Sequence, residues 1–275
     1  MLGAPVRWAG TDAAPSSAAP SSAPSTVATK AASNDIVVPS PKGDSTKRAV
    51  TGPVRLTPRL NQSTVWSHQP SDLGGVKVNL DEKRVTVEGT VALKEGILDY
   101  LAVETAGQEY ESVLALKCKG SRLHAGLLAI GAEPGPTKAV FELWKKNPPE
   151  GFKAPKAEGT KLDLTVEWTV DGKTTSVPAA KLLFNRSTKK AMDSCTWVFT
   201  GSFFAKDPED GKEYYVADRD QDLVAVHYAT SAVINVEEDA GNAYDGEDSG
   251  YQSNKDVLPA SGTPIKLIIT LAGKK

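Results

Sequence analysis

Cysteine is nearly absent from this chain, with Cys118 and Cys195 the only two among 275 residues. Two thiols are too few for a disulfide framework, a four-cysteine zinc site or a four-cysteine iron–sulfur cluster. An excess of charge of one sign is also missing. There are 32 basic and 34 acidic residues, a net charge of −2, whereas a dedicated nucleic-acid binder carries a clear basic excess. Nucleic acid is therefore not an expected partner. No run approaches the ~18 uninterrupted apolar residues of a membrane-spanning helix, so no transmembrane segment is expected either. Histidine is limited to His68, His124 and His227. Neither a Gly-x-Ser-x-Gly elbow nor a His-Glu-x-x-His pair occurs. Gly172-Lys173-Thr174 imitates the end of a phosphate-binding loop, but the upstream glycine position holds Glu167 and the segment reads as a hairpin. No cofactor and no metal site are expected from these motifs.

What is present divides the chain in two. Eight of the 18 prolines lie in residues 1–60, and 11–32 is almost entirely Ala, Pro, Ser and Thr. Such a stretch offers too little apolar surface to offset its ordering entropy, so 1–60 is expected to be a disordered, semi-stiff tether. It carries seven Lys/Arg and three Asp, a balance of +4, against −6 for the remainder. No basic segment followed by an apolar run marks an export signal near Met1. An Ala/Pro/Ser tether commonly joins an export signal to a folded domain. The expected location is periplasmic or extracellular if a signal peptide precedes Met1, and cytoplasmic otherwise.

Residues 61–275 read as one domain, mostly of antiparallel strands. Val76–Leu80 and Arg84–Val91 alternate apolar and polar residues across a short Asp81–Lys83 connection. Ile97–Val103 is more continuously apolar. Leu162–Val170 alternates again and runs into Asp171-Gly172, the favoured two-residue hairpin turn, with Thr174–Val177 as its return. Thr196–Tyr228 reads as a meander with turns at 207–211 and 218–222, and Pro264–Leu271 is a β-branched strand. One helix is expected over about 121–131, with Ser121 as its cap, Leu123, Leu127 and Ile130 on one face, and Gly131 ending it. The fold class is α+β, a mainly antiparallel sheet domain with one short capped helix.

The polar candidates are few. Asp218, Asp220 and Asp222 alternate as calcium ligands do, yet Leu223 and Ala229 stand where a calcium loop needs Gly and Glu. A solvated turn is the expectation there. The acidic run from Glu237 to Asp248, within 236–250, reads as an exposed loop, with calcium or a basic partner as the alternative. His124 falls on the flank of the helix's buried face, the placement of a structural histidine. Trp197, Phe199, Phe203, Tyr214 and Tyr215 read as core or a pocket wall. Cys118 and Cys195 are candidates to pair in an exported protein, which requires Cα atoms closer than ~7 Å.

Two blocks carry a resemblance. Tyr110–Leu116 followed by Leu123–Gly135 is the first. Lys190–Asp193, Trp197–Ser202, Gly211–Asp218 and Asp222-Leu223 make up the second. Together, from about Val76 to the C-terminus, they resemble the bacterial YdjY-domain family, a domain of unknown function in proteins that look exported. The resemblance implies that Glu111, His124, Asp193, Trp197 and Asp218 matter, and Tyr215 lies within the matching segment. The ferredoxin label given to some relatives conflicts with two cysteines 77 positions apart. The chain also departs from the family pattern, with His227-Tyr228-Ala229 where Ser-Asn-Phe is frequent.

Two readings follow. One is a non-enzymatic binding or assembly module, with Glu111, His124, Asp193, Trp197, Tyr215 and Asp218 as binding residues. Its partner would be a small ligand or a cell-envelope protein. The other is a small exported enzyme with an acid–base site of His124 and carboxylates such as Glu111, Asp193 or Asp218, which must converge within hydrogen-bond reach.

Overall fold

Period-two alternation builds the body of the domain. The computed structural model describes residues 71–146 and 156–273, apart from Asp239, Asn242, Asp245 and Glu247. The expectation of a disordered tether over 1–60 falls on residues outside those described. Arg84–Val91 (β1) turns Val85, Val87 and Val91 inward. Further along the chain, Thr160–Val170 (β4) does the same with Leu162, Leu164, Val166 and Trp168, and Pro264–Leu271 (β8) with Ile265, Leu267 and Ile269. β8 lies between the other two in antiparallel register, so Val87, Leu267 and Val166 form one buried row and Val85, Ile269 and Leu164 the next. Such rows of cross-strand apolar pairs are what hold a sheet together.

The remaining walls are shorter. They are Tyr100–Glu104 (β2), Ser112–Leu116 (β3), Trp197–Phe199 (β5), Asp222–Ala225 (β6) and Ile234–Val236 (β7). The neighbours run β1-β8-β4-β5-β7-β6-β2-β3, and β3 pairs back onto β1 through Gly89, Thr90 and Val91. The sheet therefore closes into an eight-stranded barrel. Closure also makes two pairs parallel, β2 with β3 and β6 with β7. The expected antiparallel sheet is thus corrected to a closed barrel of mixed direction. The reason is physical: alternation marks a strand's buried face but not its neighbour, and β3, β5, β6 and β7 are buried at every residue, so they show no alternation at all.

The hairpins were more legible. Val170 faces Lys173 across Asp171-Gly172, both at positive φ (51° and 75°), as a two-residue turn matched to strand twist requires. The expected meander over 196–228 breaks up instead. Phe204–Lys206 and Glu213–Tyr215 form a separate hairpin, while β5 and β6 enter the barrel with β7 between them. A small four-stranded sheet places Ile97–Leu98 beside Tyr251–Ser253, followed by Leu183–Asn185 and Lys190–Ala191.

Gly120–Ala129 (α1) covers core residues with Leu123 and Leu127. Its end matches the expectation. Gly131 sits at φ 90°, its N–H reaches the Leu128 carbonyl, and the Ala132 N–H reaches Leu127 O, closing the last turn. Its start does not. Lys119 is the cap residue, and Ser121 instead donates its N–H and hydroxyl to Asp218, both at 2.7 Å. The acceptor thus comes from Val216–Asp220 (α3), where a solvated turn was expected. A second helix, Thr137–Lys146 (α2), was not anticipated. Pro136 cannot continue α1, but its carbonyl accepts from Ala139 and Val140 and so starts α2.

Candidate functional site

The residues singled out from sequence fall in several places. His124, half-buried on α1, shares a hydrogen bond between its Nδ1 and the Tyr215 hydroxyl, 2.7 Å away. The Ser202 N–H donates to the same tyrosine oxygen at 3.2 Å, so Tyr215 ties the His124 ring to the Ser202 backbone. Phe199 meets the ring edge-on at a centroid distance of 4.8 Å. Burial holds the His124 pKa below its ordinary value. Trp197 is core, 2% exposed. Asp218 is spent on Ser121. Asp193 is exposed and pairs with Lys181. The structure thus brings His124 and Tyr215 together and sets Asp193 apart at the surface. Cys118 and Cys195 are free thiols, both pushed up to about 12 chiefly by burial.

Glu111 belongs to a different and larger cluster. It ends the short 3-10 helix Glu109–Glu111, immediately before β3. The Asp99 N–H donates to the Glu111 carbonyl, and the Asp99 carbonyl accepts from the Val226 N–H, so one residue joins three chain segments. Asp99 itself precedes β2, whose first residue, Tyr100, donates its hydroxyl to Asp222 Oδ2 at 3.1 Å. Asp222 opens β6 and is 2% exposed, and it also receives Ser231 Oγ at 2.5 Å and Gln108 Nε2 at 3.4 Å. Three carboxyls therefore gather around Tyr100, each at the first residue of a buried barrel strand or just before it.

Their electrostatics are strained. Burial is the leading cause in all three cases. It pushes Asp222 up to about 7 and Asp99 up to about 6, and it raises Glu111. The carboxyls reinforce one another, since Asp99 raises Glu111, and Asp220 and Glu111 raise Asp222. The groups that pull Glu111 back toward the charged form are Tyr244, Tyr110 and His227. Among the described residues, no lysine or arginine is among the groups acting on these three acids.

The surroundings are aromatic. Tyr244 donates to Glu111 Oε2 at 2.7 Å, and Tyr110 hydrogen-bonds the same carboxyl. The His227 ring lies 6.1 Å from that of Tyr100. Glu111 as a residue is 6% exposed, but Tyr110 and Tyr244 are 72% and 59% exposed. The arrangement is a buried acid hydrogen-bonded by two exposed tyrosines. Behind it, the segment bearing His227 is held by Asn235, which is fully buried on β7. Its Oδ1 accepts from the Ala229 N–H at 2.7 Å, and its Nδ2 donates to Thr200 Oγ1 at 2.6 Å and Ala229 O at 3.1 Å.

Sequence reasoning found Glu111 but missed Asp99, Tyr100, Asp222, His227 and Tyr244 as its companions. A signal was available: Glu111 and Asp222 each stand at the head of an apolar run and Asp99 lies within one, where a lone acid is drawn toward the interior with the strand. Among the described residues, no group of three His, Cys, Asp or Glu side chains is placed to hold a metal ion. Among those same residues, no helix is long and apolar enough to cross a membrane. A family model described as the YdjY domain matches residues 76–270. No curated protein and no solved structure matches the chain.

Proposed function

The chain belongs to the YdjY-domain family, and we propose that its domain is a binding module that seats a small organic cation against Glu111. The observation that carries this reading is Glu111, buried, hydrogen-bonded by the exposed Tyr110 and Tyr244, and electrostatically coupled to Asp99 and Asp222. A cation relieves the mutual repulsion of the acids, and tyrosine faces attract an ammonium through their ring quadrupoles, by about 0.5–2 kcal/mol each. A ligand bearing N-methyl groups fits both demands. The Ala/Pro/Ser-rich 1–60 segment serves in this reading as the tether of an exported domain.

The direct test is an amide and carbonyl NMR titration of the full chain with tetramethylammonium chloride, matched for ionic strength with sodium chloride. Perturbations are expected around Tyr110, Glu111, His227 and Tyr244, and they should vanish in Glu111→Gln. An unperturbed cluster, or an unchanged response in the variant, would overturn the reading.

An acid–base enzyme is the second reading. It now draws on His227 beside Glu111, since His124 has Tyr215 as its partner while Glu111, Asp193 and Asp218 are bonded elsewhere. His227→Gln separates the two readings, because cation binding should survive it and acid–base turnover should not.

A further inference from the structure

Tyr244 is 59% exposed and reaches Glu111 across 133 positions of sequence, so something must hold it there. The strongest hold on its segment is Arg186, 9% exposed, which follows the Leu183–Asn185 strand. A single guanidinium nitrogen, Nη1, donates to Ala243 O and to Ser249 O, each at 2.6 Å, on either side of Tyr244. The Arg186 N–H donates to Gly250 O, and the Gly250 N–H closes the segment onto Ala240 O at 2.7 Å. At the rim, Ser187 Oγ bonds Asp248 O at 2.6 Å, and Lys189 pairs with the Asp248 carboxylate. A buried cation that satisfies itself on carbonyls fixes backbone and not a partner charge, which is a geometric role.

We propose that Arg186 is a positioning residue for the Glu111 site: by bridging Ala243 and Ser249 it sets the Tyr244 hydroxyl on the carboxyl. The proposal rests on the binding reading for its significance but not for its test, which uses the ligand-free protein.

The test is a double-mutant comparison on the full chain, reading the Glu111 side-chain carbonyl by 13C NMR against pH. The Tyr244 hydrogen bond favours the charged carboxylate, so Tyr244→Phe is expected to shift the Glu111 midpoint upward. In an Arg186→Met background the same Tyr244→Phe change is expected to produce no further shift, because Tyr244 has already left the carboxyl. Arg186→Lys keeps the charge and most of the stem, and is expected to retain at most half of the Tyr244→Phe shift. If Arg186→Met does not fold, Arg186→Lys carries the comparison alone. A Tyr244→Phe shift as large in either Arg186 variant as in the native background would overturn the proposal. An Arg186 that merely stabilised the fold would lower the melting temperature and leave that shift intact. Failure of tetramethylammonium to bind would leave this result untouched, so the two ideas fail separately.

Discussion

Tyr244 donates its hydroxyl to Glu111 Oε2 at 2.7 Å, joining an exposed tyrosine to a buried glutamate. Around that bond the domain concentrates three acids whose protonation burial has made costly to give up. Four consequences are open to measurement.

The first concerns Asp222. Its folded pKa, about 7, lies above the unfolded value. The favourable contribution of its protonated form is therefore complete below about pH 4 and is lost as pH rises through about 7. Asp222→Asn never charges and escapes that loss. The variant should match the native protein near pH 4 and exceed its stability above pH 7 by about 1–3 kcal/mol. Urea unfolding at pH 4.5 and 8 measures the difference.

His124 should act with the opposite sign. Burial holds its pKa down, so its contribution is present above the unfolded value near 6.5 and is lost as pH falls through the lower folded value. Replacing it by glutamine should flatten the acid side of the stability profile. Tyr215→Phe, which strips the partner from both Nδ1 and the Ser202 N–H, should cost about 1–3 kcal/mol at neutral pH. Thermal and urea melts check both.

Asn235 gives the largest stability effect. Its amide has three bonds, to the N–H and carbonyl of Ala229 and to Thr200. Asn235→Leu leaves the buried Ala229 N–H without a partner and takes the Asn235 donor from the Ala229 carbonyl, which keeps the Ala232 N–H, and from Thr200 Oγ1; it should cost about 2–5 kcal/mol. It should also move the His227 ring resonance toward its random-coil position. A folded variant with an unmoved His227 signal would show that Asn235 does not hold that segment.

These sites differ in how far the sequence disclosed them. Arg84–Val91, Leu162–Val170 and Pro264–Leu271 were legible because one face is buried and one is wet. The Asp171-Gly172 hairpin and the Gly131 terminus were legible because only particular residues tolerate positive φ there. Barrel closure was not, since the pairing of Gly89 with Leu116 is set by tertiary packing. The second helix escaped notice because Pro134 and Pro136 mark where α1 stops, and a stop signal for one helix is equally a start signal for the next. Glu111 was picked out by resemblance alone. Its companions Asp99, Asp222 and Tyr244 lie 12, 111 and 133 positions away, and nothing local in a chain reports convergence over such distances.

The central claim, that a cation binds the carboxyl cluster, is tested most directly by tetramethylammonium affinity as a function of pH. The cation favours the deprotonated acids, so affinity should climb between pH 5 and 8, most steeply through the window of about 6–7 set by Asp99 and Asp222. Glu111→Gln should abolish the binding. Affinity independent of pH across that window, or preserved in Glu111→Gln, would contradict the account.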